Sequence, residues 1–202
     1  MFSGIVEEIG TVLKIESRSG IQELMVSCSK VLNDLEAGDS VAIDGCCQTI
    51  TEIAKSSFKV QAMHETLQKT NFQKLKEGSR VNLEAPLKAG DKISGHFVSG
   101  HIDGTGKIID TSSFDENKIV QVQFSNELCN YIAPKGSITV NGVSLTVIDL
   151  KNKHFTFTLI PYTRDNTNLG LIKIGDLVNL EIDLISRYLV NYFENKKLEV
   201  KC

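Results

Sequence analysis

The side chains best suited to chemistry in this chain are small, polar and repeated. Cys47 and Thr49 follow Asp44-Gly45, while Ser144 and Thr146 follow Asn141-Gly142, 97 positions later (144 minus 47). Two residues apart on a strand, the members of each pair point to one face. A thiol or hydroxyl donates and accepts hydrogen bonds, and His101 adds a group that titrates near neutral pH and can move a proton. A repeated hairpin carrying a repeated polar pair suggests two equivalent small-molecule sites. Each residue also has a quieter role open to it. Cysteine is often a small buried hydrophobe, threonine suits a strand, and Cys46 alternates to the opposite face as packing. His96 and His101 lack a third ligand at suitable spacing, so no metal is expected. His96 is read as shaping the linker turn, and His64 and His154 as ordinary surface residues.

Strands must position these groups. Ser40–Thr51 and Ser137–Ile148 each alternate into Asp-Gly or Asn-Gly and alternate again, the signal of a tight two-residue hairpin. Three further blocks repeat in order: residues 2–12 with 98–108, 63–72 with 160–169, and 75–84 with 172–181. Matched blocks at near-constant separation mean duplication of one domain. Gly4–Ile15, Glu23–Ser27, Ser40–Ile43, Gln48–Ile53 and Phe58–Gln61 read as strands, with helical turns at Ser29–Leu35 and His64–Lys69. Turn residues at short intervals favour small antiparallel barrels over βαβ units. Pro86–Ser94 reads as a linker. From Leu184 the apolar residues Ile185, Tyr188, Leu189, Tyr192 and Phe193 follow helical spacing, a stripe fit for subunit contact or for packing back on its own barrel.

The totals are those of an ordinary globular chain: 202 residues, 41% hydrophobic, 23% charged, net charge −3. No basic run suggests a nucleic-acid surface, no apolar run approaches a membrane span, and no secretory signal is visible at the start. Five cysteines (Cys28, Cys46, Cys47, Cys129, Cys202) without Cys-x-x-Cys spacing suggest a reduced, cytoplasmic setting.

Met1-Phe-Ser-Gly-Ile-Val, Asp44-Gly-Cys-Cys-Gln-Thr, Gly95-His-Phe-Val-Ser-Gly-His101, Asn141-Gly-Val-Ser-Leu-Thr and Ile160-Pro-Tyr-Thr stand in that order within the duplicated frame. Together they resemble the two-barrel riboflavin synthase family over nearly the whole chain. The resemblance implies an all-β fold of two tandem similar six-stranded Greek-key antiparallel barrels plus a C-terminal α-helix. The corresponding divisions are residues 1–96, 97–184 and 185–202. It implies dismutation of two 6,7-dimethyl-8-ribityllumazine molecules, with no metal or redox cofactor, in a homotrimer whose sites join barrels of neighbouring subunits. Association with lumazine synthase is a further expectation.

The resemblance places Cys47, His101, Ser144 and Thr146 in the chemistry, with His101 and Ser144 expected on the second barrel and Cys47 facing them from the first. Implied ligand contacts are Phe2, Gly4, Ile5 and Val6; Ser40, Cys47, Gln48 and Thr49; and the loop Gln61, Ala62, Met63, His64, Glu65 and Thr66. From the second half come Gly100, His101, Ile102 and Lys135; Ser144, Leu145 and Thr146; and the matching loop Thr158, Leu159, Ile160, Pro161, Tyr162 and Thr163. Asp183 stands where the first unit has Pro86 and is expected to orient ribityl hydroxyls. A non-catalytic lumazine- or flavin-binding protein, or a purely structural double barrel, would use the same frame.

Overall fold

In a computed structural model the described residues are 1–18 and 20–199; Cys202 and the last positions of the expected 185–202 helix lie outside them. The first barrel comprises β1 (Glu8–Arg18), β2 (Ile21–Ser27), β3 (Ser40–Ile43), β4 (Cys46–Ala54), β5 (Ser57–Ala62) and β6 (Arg80–Glu84). Its order, β1-β2-β5-β4-β3-β6, closes where β6 pairs with β1. All pairings are antiparallel, as short strands joined by tight turns require. A short helix, α1 (His64–Lys69), follows β5.

The second half repeats this plan with β7 (Gly104–Phe114), β8 (Asn117–Gln123), β9 (Ser137–Val140), β10 (Val143–Thr146), β11 (Asp149–Lys151), β12 (His154–Leu159), α2 (Pro161–Asn166) and β13 (Leu177–Ile182). The expected six strands become seven, in the order β10-β9-β13-β7-β8-β12-β11. The reason is local. β4 absorbs a kink between Ile50 and Glu52 as a register shift, whereas its counterpart breaks there into β10 and β11. Ile148 N–H still bonds Thr156 C=O at 2.8 Å, so the chain itself spans the break.

Alternation fills two cores with corresponding residues. Val41, Ile43, Phe58, Phe72, Val81 and Leu83 in one are matched by Ile138, Val140, Phe155, Leu169, Val178 and Leu180 in the other. Burying such side chains contributes about 1.5–3 kcal/mol each, before chain entropy is counted.

The two barrels meet turn to turn. Asp44 and Asn141 each have φ 46° and the glycines after them φ 77° and 78°, the paired left-handed residues of a type I′ hairpin. A Cβ on Gly45 would lie 2.6 Å from Gly142 N, and one on Gly142 would lie 2.7 Å from Gly45 N. Only glycine permits both the turn and this approach. Around the contact Asp44, Asn71, Asn82, Asn141, Asn168 and Asn179 are buried and joined to one another across the interface. Asn82 Nδ2 donates to Asn141 C=O at 2.9 Å, and Asn179 Nδ2 to Asp44 C=O at 3.0 Å. These amides replace the water the turns lose.

α3 (Leu184–Glu199) follows β13, and no described helix is long and apolar enough to cross a membrane. Ile185, Tyr188, Leu189, Tyr192 and Phe193 are each more than half exposed. The stripe therefore does not pack back on its own barrel.

Candidate functional site: two half-sites on exchanged leading segments

The segment preceding each barrel lies on the other barrel. Cys47 N–H donates to Gly100 C=O at 2.8 Å, and Ser144 N–H donates to Gly4 C=O at the same distance. Farther along, Ile102 packs against the first core and Val6 against the second. The two leaders cross where Phe2 and Val98 exchange backbone bonds of 2.7 and 3.1 Å. Gly4 and Gly100, at φ 77° and 81°, sit so close that a Cβ would fall 2.7 Å from Ser144 Cβ or 2.6 Å from Cys47 Cβ.

One half-site thus joins Cys47 and Thr49 of β4 with Gly100, His101 and Ile102. The other joins Ser144 and Thr146 of β10 with Gly4, Ile5 and Val6. The expected placement of His101 beside Ser144 is corrected. The exchange of leaders carries His101 to the Cys47 side, and the imidazole beside Ser144 is that of His96. Its Nδ1 lies 2.7 Å from Ser144 Oγ. Strand alternation leaves Cys47 and Ser144 half-buried and Thr49 and Thr146 exposed, while Cys46, Ile50, Val143 and Leu145 turn inward.

Burial lowers the His96 pKa, an effect opposed by the negative charge of Asp183. The imidazole is therefore neutral at pH 7 and forms an acid–base pair with the Ser144 hydroxyl, the tautomer deciding which donates. Asp183 Oδ1 accepts Ile185 N–H at 2.9 Å, starting α3 beside this half-site.

The remaining expected contacts divide. Ile5, Met63, Ile160 and Tyr162 are exposed apolar side chains, at 44%, 56%, 54% and 73%. Gln61 of β5 pairs with Glu23 and Thr158 of β12 with Ile119, Ser40 pairs with Thr49, and Pro161 starts α2. Ala62, Leu145 and Leu159 point into the cores, leaving only their backbones for a ligand. Gln48 is also turned in, its Nε2 donating to Cys47 C=O at 2.7 Å. His64 meets Gln68 at 2.9 Å and Glu65 pairs with Lys69 at 3.3 Å, both on exposed α1. Thr66 and Thr163 carbonyls accept the Thr70 and Thr167 hydroxyls, each at 2.7 Å. Lys135 has φ 67°, where the first repeat has Gly38. Phe2 is fully buried with Ala42 and Val98, and Cys47 packs against that cluster.

Sequence reading passed over Glu84 and Glu181, the last residues of two matched blocks. Glu84 accepts Ser3 N–H at 2.7 Å, the Ser3 hydroxyl at 2.9 Å and Gly4 N–H at 3.1 Å. Glu181 accepts Ser99 N–H at 2.8 Å and Gly100 N–H at 3.0 Å. Burial pushes both carboxyls up, Glu181 to about 7. An acid repeated after Val-Asn-Leu in both strands was the available signal.

Comparison with known proteins agrees with this architecture. The lumazine binding domain model matches residues 3–86 and 99–183. Riboflavin synthase of Actinobacillus pleuropneumoniae is 40% identical over 196 residues, covering 97% of this chain and 91% of its own. That of Bacillus subtilis (strain 168) is 39% identical over 200 residues, covering 97% and 93%. A crystal structure of LumP complexed with riboflavin superposes with a TM-score of 0.85 at 24% identity, covering 90% of this chain and 99% of that one, a likeness of fold. By its doubled lumazine-binding domain and by identity along nearly its whole length, this chain belongs to the riboflavin synthase family.

Proposed function

We propose that this enzyme dismutates 6,7-dimethyl-8-ribityllumazine. A four-carbon unit passes from one molecule to a second, giving riboflavin and 5-amino-6-(ribitylamino)uracil. The two products together contain the atoms of the two substrates, so the reaction balances without an added oxidant or reductant. The observation that supports this most is the pair of equivalent half-sites, each presenting a small polar pair, a glycine-flanked backbone edge and exposed apolar side chains. Each half-site is open, so one chain covers one side of a ring and a second copy's complementary half can cover the other. Holding two rings together replaces a bimolecular encounter, for which effective molarities of ~10⁵ M or more are known.

The chemistry also needs a proton removed from a methyl group of one ring and a transient addition to the other. In the proposed roles the neutral His96 and Ser144 pair handles a proton in one half-site, with Thr146 beside it. Cys47 and His101 serve the other. Lys135 and Asp183 are assigned to meet ribityl hydroxyls. The proposed assembly is a homotrimer held by the exposed stripe of α3. Four described cysteines are free, which suits a cytoplasmic location. Association with lumazine synthase belongs to the same proposal and is tested by co-sedimentation.

Incubation with the lumazine decides the main point. Riboflavin absorbance should appear, and Cys47→Ser and His101→Gln should each slow its appearance at least several-fold. Tight binding of the lumazine without riboflavin formation would mean a binding protein instead.

A further inference from the structure

The mechanism leaves two buried carboxylates unused, and both grip the same kind of backbone. Glu84 is 5% exposed and Glu181 2% exposed. Glu84 lies on β6, paired with Ala42 of β3 in the first barrel. It binds Ser3 and Gly4 where that leader passes onto Ser144 of the second barrel. Glu181 lies on β13, paired with Thr139 of the second barrel. It binds Ser99 and Gly100 where that leader passes onto Cys47 of the first. Each carboxylate therefore stands on one barrel and fixes the strip of backbone that lines the half-site of the other.

We infer that Glu181 is a positioning residue for the Cys47–His101 half-site and Glu84 its counterpart for the Ser144 half-site, so that each barrel aligns the ligand edge of its neighbour. The inference rests on the proposed function, because it concerns how that ligand is held. Neither carboxylate touches substrate. Each acts through the glycine whose carbonyl binds Cys47 or Ser144 and whose neighbour, His101 or Ile5, is exposed beside them.

A carboxylate suits the task because it accepts several N–H bonds at once and its charge strengthens each of them. Ser99 and Gly100 N–H bind the two different oxygens of Glu181. A glutamine there would turn an NH₂ toward one of those donors and release that end of the leader. An aspartate would keep the charge but fall short by one methylene.

The anion is the gripping form. With its pKa raised to about 7 by burial and by the nearby charge of Asp103, Glu181 loses that form as the medium becomes acidic. Asp103 is itself held by the two terminal guanidinium nitrogens of Arg187, at 2.8 and 3.0 Å. The other ionisable group facing this carboxyl is Cys46 of β4, whose thiol burial pushes up to about 12, leaving it neutral. Turnover should therefore decline as pH falls through about 7.

The test uses the full-length protein and the variants E181Q, E181D and E84Q. Steady-state rates on the lumazine are measured from pH 5.5 to 8.5, together with thermal midpoints. Alkylation of Cys47 by iodoacetamide, followed by peptide mass spectrometry, is titrated against riboflavin to report occupancy of that half-site. E181Q should lower kcat at least tenfold at pH 8 and flatten the acid limb of the profile. It should raise the riboflavin concentration for half-protection of Cys47 about fivefold or more, and leave the midpoint at or above that of the parent. E181D should recover part of kcat. E84Q should lower kcat while shifting Cys47 protection by less than half as much as E181Q.

Parent-like kcat and protection in E181Q would overturn the inference. A loss of kcat matched by a fall in thermal midpoint would overturn it too, because that is the mark of a structural role. Equal shifts of Cys47 protection in E84Q and E181Q would remove the assignment of each carboxylate to the opposite barrel. A parent protein that makes no riboflavin defeats the proposed function first, an outcome distinct from active parent protein with indifferent variants.

Discussion

Among single residues, Asp44 breaks the symmetry of the interface. Asn141 Oδ1 accepts Asn179 N–H at 2.8 Å while its Nδ2 faces Asn168 Oδ1 at 3.3 Å. Asp44 makes the matching bonds, from Asn82 N–H and Asn168 Nδ2, both at 2.8 Å, but has no NH₂ to offer. Asn71 Oδ1 is accordingly buried without a partner. Burial raises the Asp44 pKa from 3.8 to about 6. A raised carboxyl pKa means the folded state binds more protons, so this group's contribution to stability falls as pH rises from about 4 to about 6 and then stays level. At about 1.4 kcal/mol per unit, the buried charge costs up to ~3 kcal/mol at neutral pH. Asp44→Asn should close the ring of amides, raise the thermal midpoint at pH 7.5 and flatten its pH dependence below 6. A lower midpoint at pH 7.5 would show that the anion's hydrogen bonds outweigh its desolvation. Both turn residues were legible as a hairpin, and Cys47, Thr49, Ser144 and Thr146 as sharing outer faces. That the turns themselves meet was not, because Asp-Gly and Asn-Gly would look identical at a solvent-exposed hairpin.

At the level of elements, the hairpin β3–β4 and its repeat β9–β10 come closest at their glycine backbones. Ala at position 142 would combine a left-handed φ of 78° with a Cβ 2.7 Å from Gly45 N. Backbone strain of ~1–3 kcal/mol and overpacking of ~1–3 kcal/mol should add, since neither turn can retreat without breaking its barrel. Gly175 provides the control: its φ is 98°, but nothing lies within 4 Å of its absent Cβ. Urea unfolding should show Gly142→Ala less stable than Gly175→Ala by at least the overpacking share; equal losses would mean the turns yield freely. The strands were readable because alternation and glycine-bearing turns are local signals. The division of β4's counterpart into β10 and β11 was not, since Thr146-Val147-Ile148 keeps an apolar pattern across the break. The leaders also resisted reading. Residues 2–12 and 98–108 match as sequences, and no local pattern reveals that the part of each ahead of β1 or β7 lies on the other barrel.

For the whole molecule, the question is what covers α3. None of its described side chains is buried, yet Ile185, Tyr188, Leu189, Tyr192 and Phe193 are more than half exposed along its length. An apolar stripe of that extent on a free chain is a contact surface, and in the proposed trimer it joins three copies. Deleting the helix is an ambiguous test, because Arg187 within it pins Asp103, next to the leader that carries His101. The pair Leu189→Asp and Phe193→Asp keeps Arg187 and charges only the stripe. The parent should sediment at about three times the 22.3 kDa chain mass, and the double variant at the chain mass. Core packing lies within the barrels, so the thermal unfolding of each barrel should survive while lumazine turnover falls at least tenfold. If the variant keeps both parental mass and rate, the contact lies elsewhere. Monomers at full rate would show that one chain completes a site without a neighbour. Monomers that still bind riboflavin at Cys47 but do not turn over lumazine would locate the loss in the missing second ring, the result expected when catalysis consists mainly of holding two rings together.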